Sequence, residues 1–452
     1  MSNEDNRFTA RASRYARVGV NVGNVAARYA GKRFLGLEQD RSEAARELAA
    51  ALGGLKGPIM KVAQLLSTIP EALPKEYARE LSQLQSQAPS MGPAFVRRRM
   101  SAELGRDWQA RFENFEYQSA ASASLGQVHR AIHPDGRRLA CKLQYPDMQS
   151  AVEADLNQLK LVFQIHARMD PGVDTREIFV EISSRLREEL DYELEAGHTA
   201  LYAGIFRDDS LIRVPEVLPE LSTGRLLTMT WLEGEPLLTF KEDPLEDRNQ
   251  IARAMFRAWW HPFSHFGVIH GDPHLGNYTI FSADGRPRGI NLLDYGCIRT
   301  FSPRFVQGVV NLYQGLLAND RDRVVAAYEA WGFKGLNDEL IDGLTIWARF
   351  IYGPLLDDRE RTIADEVKPG DYGRSEMMRV RTILKEKGPV TVPREFVFMD
   401  RAAIGLGGVF LHLDAKLNWY RLFNETIENF DIDTVADRQF EAFPRAGVPL
   451  PL

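Results

Sequence analysis

Two short segments carry residue types that can do chemistry together. The first is His270-Gly271-Asp272-Pro273-His274-Leu275-Gly276-Asn277, and the second is Asn291-Leu292-Leu293-Asp294-Tyr295-Gly296. Phosphoryl transfer asks for one group to orient the acceptor oxygen and for oxygen ligands to a cation that bridges the phosphates. Asp272 suits the first task; Asn277 and Asp294, the latter closing an apolar run, suit the second. A lone Asp or Asn in a loop is ordinarily a turn former. The two motifs occur together and in this order, which favours the chemical reading. His270 and His274 could form a zinc pair, yet neither a cysteine nor a third histidine lies beside them in the motif, so the expected cation is Mg²⁺.

An aspartate with an asparagine five residues later is the spacing of a kinase catalytic loop. Such an enzyme also needs a strand lysine on the phosphates and a helical glutamate to pair with it. Leu139-Ala140-Cys141-Lys142-Leu143 supplies the strand. Burying an unpaired ammonium is costly, so Lys142 calls for an anionic partner. Glu188-Glu189-Leu190-Asp191-Tyr192-Glu193-Leu194-Glu195-Ala196 offers several. Read as one helix, it buries Leu186, Leu190 and Leu194 and sets Asp191 and Glu195 on an adjacent face. Ser119 to Gly126, rich in alanine, is expected as the loop over the phosphates, stiffer than a glycine loop because each alanine carries a Cβ.

The elements around these residues are legible from period and punctuation. Helices are expected over Glu43–Leu52, after Gly57-Pro58, and over about Lys75–Gln87 and Pro93–Leu104. Strands then flank Pro134-Asp135-Gly136 as a hairpin. Long helices are expected from Met148 to Arg168 and from Thr175 to Phe206, and a strand pair near Arg213–Pro215 and Leu226–Trp231. Helices dominate from Asp247 onward apart from His270–Thr300. Among them Phe305–Leu317, Ile341–Leu355 and Ala402–Phe423 read as packed helices, and the prolines from Pro444 on as an extended tail.

Composition sets the outer limits. The 452 residues, 44% hydrophobic and 26% charged, form an ordinary globular composition, and a net charge of −6 argues against nucleic acid as a partner. Two cysteines indicate a reducing compartment. The longest nearly apolar stretch, Ala402–Leu411, falls well short of the ~20 residues of a membrane-spanning helix. The first 33 residues hold seven basic and two acidic side chains around a GxxxG-spaced Gly19–Gly23, a pattern suited to an anionic membrane surface.

Taken together, these motifs resemble the UbiB family of atypical kinases, called ADCK proteins in eukaryotes, from about Gly57 to beyond Phe301. Ala121-Ser122-Ala123-Ser124-Leu125-Gly126 is similar to that family's alanine-rich loop, and Cys141-Lys142-Leu143-Gln144-Tyr145-Pro146 to its VKVQYP strand. Glu189-Leu190-Asp191 with Glu195 resembles its ExD motif and the glutamate that follows. His270–Asn277 resembles HGDPHPGN with Leu275 for proline. Lys61-Val62-Ala63-Gln64 is similar to the defining KxGQ motif, with Ala63 for glycine; Tyr295 replaces phenylalanine and His198 an asparagine.

The resemblance implies an α+β, bilobal protein-kinase-like fold. Its expected parts are a basic extension (1–56), a helical KxGQ extension (57–111), a small β-containing N-lobe (112–232), a helical C-lobe (233–440) and a tail (441–452). It implies ATP or ADP with Mg²⁺ as cofactors. Asp272 is then catalytic, Lys142 pairs with Glu195, Asn277 and Asp294 bind the metal, and Ala121, Ser122, Ala123 and Ser124 cover the phosphates. Met229 to Leu232, including Trp231, forms the adenine hinge. Lys61 and Gln64 enter the nucleotide site while Glu189 and Asp191 contact their helix. The implied role is an ATPase supporting ubiquinone or other prenyl-lipid biosynthesis at a membrane surface. Expected partners are nucleotide, anionic lipid and quinone-biosynthesis enzymes, with a homodimer left open. The expected location is peripheral to the membrane in a bacterial cytoplasm, or mitochondrial in a eukaryote. The alternative is a small-molecule kinase of the aminoglycoside-phosphotransferase or choline-kinase type, which shares the Asp-to-Asn spacing.

Overall fold

The computed structural model describes residues 91–123, 125–169, 175–333, 335–364 and 394–451. The basic N-terminal stretch, the KxGQ segment with Lys61 and Gln64, and Ser124 lie outside the described residues. Two compact units emerge. One holds the described residues up to Tyr192 together with Leu218–Thr228; the other holds Glu193–Val217 and the described residues from Met229 onward.

In the first unit, α1 (Pro93–Leu104) opens on a proline at its first turn and buries Val96, Met100 and Leu104, each one turn from the next. Its apolar face meets Trp108 and Phe112 and the inner face of a sheet of order β1-β2-β3-β5. The strands are β1 (Asn114–Ala123), β2 (Gly126–Ile132), β3 (Arg138–Gln144) and β5 (Leu226–Thr230). The Pro134-Asp135-Gly136 turn joins β2 to β3, with Gly136 at φ 89° where a side chain would be strained. Alternation puts Leu139, Cys141 and Leu143 in the core and leaves Lys142 and Gln144 on the other face, where they too are buried.

Several sequence expectations are corrected here. Ala121, Ser122 and Ala123 are not a loop: they are the end of β1, pairing with Val128, Gln127 and Gly126. A Cβ on Gly126 would collide with the Leu143 carbonyl, so this glycine is what lets β2 and β3 lie this close. The expected helix over Thr175–Phe206 is two helices, α3 (Thr175–Glu188) and α4 (Tyr192–Ile205); α2 (Met148–Met169) precedes them. The break falls on Glu189-Leu190-Asp191, where tight i→i−3 bonds end α3 (Leu190 N–H to Arg187 O, 3.1 Å; Asp191 N–H to Glu188 O, 3.0 Å). The Gln144 amide takes the Leu190 carbonyl at 3.2 Å, an acceptor a continuous helix would have used.

The third correction lies in the second unit. β4 (Ile212–Arg213) does not pair with β5 but runs parallel to β8, and Val217 bridges Met229 instead. Fourth, Ala402–Phe423 divides at Asp414, which turns at φ 44°, and Pro444 sits in the last turn of a helix, so extended chain begins only after it.

The second unit is built round α5 (Leu245–Phe266), whose buried stripe includes Ile251, Met255, Trp259 and Phe263. Gly267 ends it in the left-handed conformation (φ 62°), and the chain enters β6 (Val268–His270) at once. A hairpin of β7 (Tyr278–Ala283) and β8 (Arg286–Leu292) follows, then β9 (Ile298–Thr300), which pairs with β6. The remaining helices are α6 (Pro303–Ala318), α7 (Arg321–Ala330), α8 (Asp338–Tyr352), α9 (Arg394–Leu413), α10 (Trp419–Ile427) and α11 (Ile432–Arg445). Among the described residues, no helix is long and apolar enough to cross a membrane.

Gly126→Ala is expected to lower stability by about 1–3 kcal/mol, the usual cost of forcing volume into a packed site. Gly204→Ala, in α4 with nothing within 4 Å of the added carbon, should leave stability unchanged or raise it. Thermal melts of the two variants against the parent check the contrast.

Candidate active site

The second unit brings Asp272, Asn277 and Asp294 together through two strand pairings. In the β7–β8 hairpin, Tyr278 lies opposite Leu292, and the Leu293 N–H reaches the Asn277 carbonyl at 2.9 Å. Asn277, one residue before β7, and Asp294, two residues beyond β8, therefore meet at one end of the hairpin. Its far end turns on Asp284-Gly285, both at positive φ (54° and 76°), as a tight hairpin requires. The β6–β9 pair supplies the second constraint: His270 lies opposite Ile298, and the Gly271 N–H donates to Cys297 O at 2.7 Å. A Cβ on Gly271 would lie 3.0 Å from the Cys297 thiol and 3.1 Å from its carbonyl, so glycine eases the close approach of the two loops.

His270 ties the loops to each other. It is fully buried, and its Nδ1 accepts the Asp272 N–H at 3.2 Å while its Nε2 faces the Asp294 carbonyl at 2.8 Å. An amide can only donate and a carbonyl can only accept, so the ring is the Nε2–H tautomer. The Trp259 indole of α5 donates to the His270 carbonyl at 2.8 Å and packs on the ring. Pro273 is met from the other side by α9: a Cβ on Gly405 would come within 2.5 Å of its ring.

The donor chemistry suits a hard cation. Asn277 commits its Nδ2 to the Asp272 carbonyl (3.0 Å) and carboxylate (3.2 Å), which turns its amide oxygen away as an acceptor. Asp294 fixes one carboxylate oxygen on the Gly296 N–H at 2.9 Å. Two half-buried oxygen donors fit Mg²⁺, which keeps waters and phosphate oxygens for the rest of its octahedron. Tyr295, fully buried, satisfies its hydroxyl on Leu292 O at 3.2 Å. Burial above all, then Tyr202 and Asp294, drive its phenol pKa far up, so it stays neutral. His198, buried on α4, reaches the Tyr295 carbonyl at 3.3 Å.

The remaining expected residues of this unit are placed as follows. Met229 is buried and Trp231 half-buried; the strand end they belong to runs into Glu235, which exchanges both backbone bonds with Ile280 of β7 (2.9 and 2.8 Å). Asn291 of β8 holds the Glu233 carbonyl at 2.9 Å, and Gly234 leaves no room for a side chain between Thr279 and Asn291. Glu195 is buried in the first turn of α4, where a helix N-terminus favours a carboxylate.

In the first unit, Lys142 is buried on β3 with its ammonium 5.2 Å from the centre of the Tyr192 ring. Ala121 and Ser122 are exposed at the end of β1. Glu189 and Asp191 lie in the turn that Gln144 holds. Several contributors were not singled out from sequence: Trp259, the Gly271–Cys297 approach, the Gly405–Pro273 contact and the bridging role of His270. The Asp284-Gly285 hairpin did leave a signal, a turn dipeptide between two strand-like runs; the others are long-range contacts with none.

Comparison with known proteins identifies the family. Residues 83–328 match the ABC1 atypical kinase-like domain, more than half of the chain. The chain is 26% identical over 381 residues to the mitochondrial atypical kinase COQ8 of Saccharomyces cerevisiae, covering 82% of this chain and 74% of that protein. It is 28% identical over 399 residues to the mitochondrial atypical kinase coq-8 of Caenorhabditis elegans, but spans only 51% of that protein's length. The solved structure of the Rv3197–erythromycin complex from Mycobacterium tuberculosis superposes with a TM-score of 0.59 at 27% identity, over 86% of this chain and 96% of the other. With the His270–Asn277 and Asn291–Gly296 segments laced together in a mixed α+β fold, the chain belongs to the ABC1 atypical kinase-like family, the UbiB family that its motifs resemble.

Proposed function

We propose that this protein binds Mg²⁺–ATP and cleaves its γ-phosphate, chiefly to water, in support of ubiquinone or related prenyl-lipid biosynthesis at a membrane surface. The observation that carries this reading is the single buried imidazole that joins the backbone of Asp272 to that of Asp294, with Asn277 bonded to Asp272. Bound Mg²⁺ would neutralise charge on the phosphates. Asn277 and Asp294 would hold it and Asp272 would orient the acceptor oxygen, while Lys142 is assigned to the phosphates by resemblance. Lys61 and Gln64 are assigned to the nucleotide by resemblance, and the basic stretch before residue 34 to anionic lipid.

The names of the mitochondrial relatives support the kinase class and are consistent with a membrane-bounded setting. The lipid role rests on the UbiB resemblance together with that basic stretch. A homodimer and docking of quinone-biosynthesis enzymes belong to the same proposal.

Asp294→Asn should lower Mg²⁺-dependent ATP turnover by about a hundredfold or more, since metal charge stabilisation amounts to several kcal/mol; turnover equal to the parent, with and without anionic liposomes, would exclude the metal role. Transfer of labelled γ-phosphate to a soluble alcohol at a rate matching bulk hydrolysis would favour the small-molecule kinase instead. Lys61→Ala removes a positive charge assigned to the phosphates, and so should change the ratio of ADP to ATP affinity measured by calorimetry. Mass-spectrometric quinone profiles of a deletion strain, rescued by the parent but not by Asp272→Asn, test the biosynthetic role.

A further inference from the structure

Away from that site, α5 carries His261-Pro262-Phe263-Ser264-His265, two half-buried histidines one helical turn apart. Their rings lie against each other, centres 4.1 Å apart and planes 33° from parallel. The i, i+4 spacing is the one by which a helix presents two imidazoles to a single metal ion.

The hydrogen bonds fix which nitrogen of His265 is available. The Ser264 hydroxyl gives its one proton to a backbone carbonyl, Trp260 O at 2.9 Å with His261 O farther at 3.4 Å. Toward His265 Nδ1, 2.8 Å away, it therefore accepts. His261 O, at 3.1 Å from the same nitrogen, can only accept as well. Nδ1 carries the proton and Nε2 keeps its lone pair. An Nδ1–H held by oxygen is the arrangement that orients a metal-ligating histidine.

The donor atoms decide the kind of metal. Arg257 pairs with Asp209, and Arg438 of α11 lies over the Phe266 ring at 5.9 Å. Burial, then His265, Arg257 and Arg438, push the His261 pKa down to about 3 against the pull of Asp209, and burial with Arg438 lowers His265. Both rings are thus neutral ligands near neutral pH. Two arginines against one aspartate leave the patch positive, which weakens any dication alike, so the donor atoms make the choice: Mg²⁺ and Ca²⁺ take oxygen. Imidazole nitrogen favours zinc, nickel and copper.

We propose that His261 and His265 form a binding site for a borderline transition-metal dication of the Zn²⁺, Ni²⁺ and Cu²⁺ class, distinct from the Mg²⁺ position of the reading above. Among the described residues no group of three His, Cys, Asp or Glu gathers at metal-binding distance. Water completes the shell, and the site exchanges its metal rather than holding the fold together.

The test titrates the full chain with Zn²⁺ and with Ni²⁺ in excess Mg²⁺, by calorimetry and by thermal shift. The parent should take up one ion through this pair, and His261→Gln and His265→Gln should each weaken it by at least about tenfold. Zinc should also protect both rings of the unaltered chain from carbethoxylation, read by mass spectrometry, which needs no variant to fold. Equal affinity and stoichiometry in parent and variants, or modification of both histidines at the same rate with and without zinc, would overturn the proposal.

Discussion

One imidazole accepts a backbone N–H beside Asp272 and donates to the backbone carbonyl of Asp294. Neither of these two bonds uses a carboxylate, so the main chain sets the positions of both acids, whose carboxylates are oriented separately by the Asn277 amide and the Gly296 N–H. The arrangement works only if the ring is buried and in one tautomer, because an exposed histidine would exchange these partners for water. Burial comes from Trp259, which anchors the His270 carbonyl and lies beneath the ring. α5, β6 and β9 are thus read most simply as the frame of a single hydrogen-bonded relay.

Close approach is the other recurring constraint. Gly271 meets Cys297, Gly405 meets Pro273, and Gly234 sits between Thr279 and Asn291, each where a Cβ would intrude. The first two contacts bring separate chain segments close to the loop that carries Asp272, and the third packs the Gly234 backbone against the β7–β8 hairpin. A packed interior is stiff on this scale, so the loop carrying Asp272 is held from both sides rather than by its own sequence. The carboxylates meet donors, the Asn277 amide at Asp272 and the Gly296 N–H at Asp294.

In the first unit the same logic operates through a side-chain amide. Gln144 spends its Nε2 on the Leu190 carbonyl and so ends a helix that the sequence pattern would have continued. The turn this creates carries Glu189 and Asp191. Hydrophobic period alone favoured one helix there, since Leu186, Leu190 and Leu194 recur at the right spacing. A single competing donor opposes that pattern locally, because the Gln144 amide bonds a backbone carbonyl that the helix ladder would otherwise use.

By itself, the sequence determined the residue types and their order: Asp272 before Asn277 before Asp294, Lys142 on an apolar strand, and the Asp-Gly turn between β2 and β3. These are local properties, set by spacing, by alternation and by turn chemistry, and they also sufficed to suggest the α+β kinase-like family. Tertiary structure alone decided that the alanine-rich segment extends β1, that β4 joins β8, and that the Ala402–Phe423 stretch divides. It alone made His270 the bridge between two loops. Each of these depends on which distant backbone group lies within about 3 Å, the reach of a hydrogen bond, and no spacing along a chain encodes that distance.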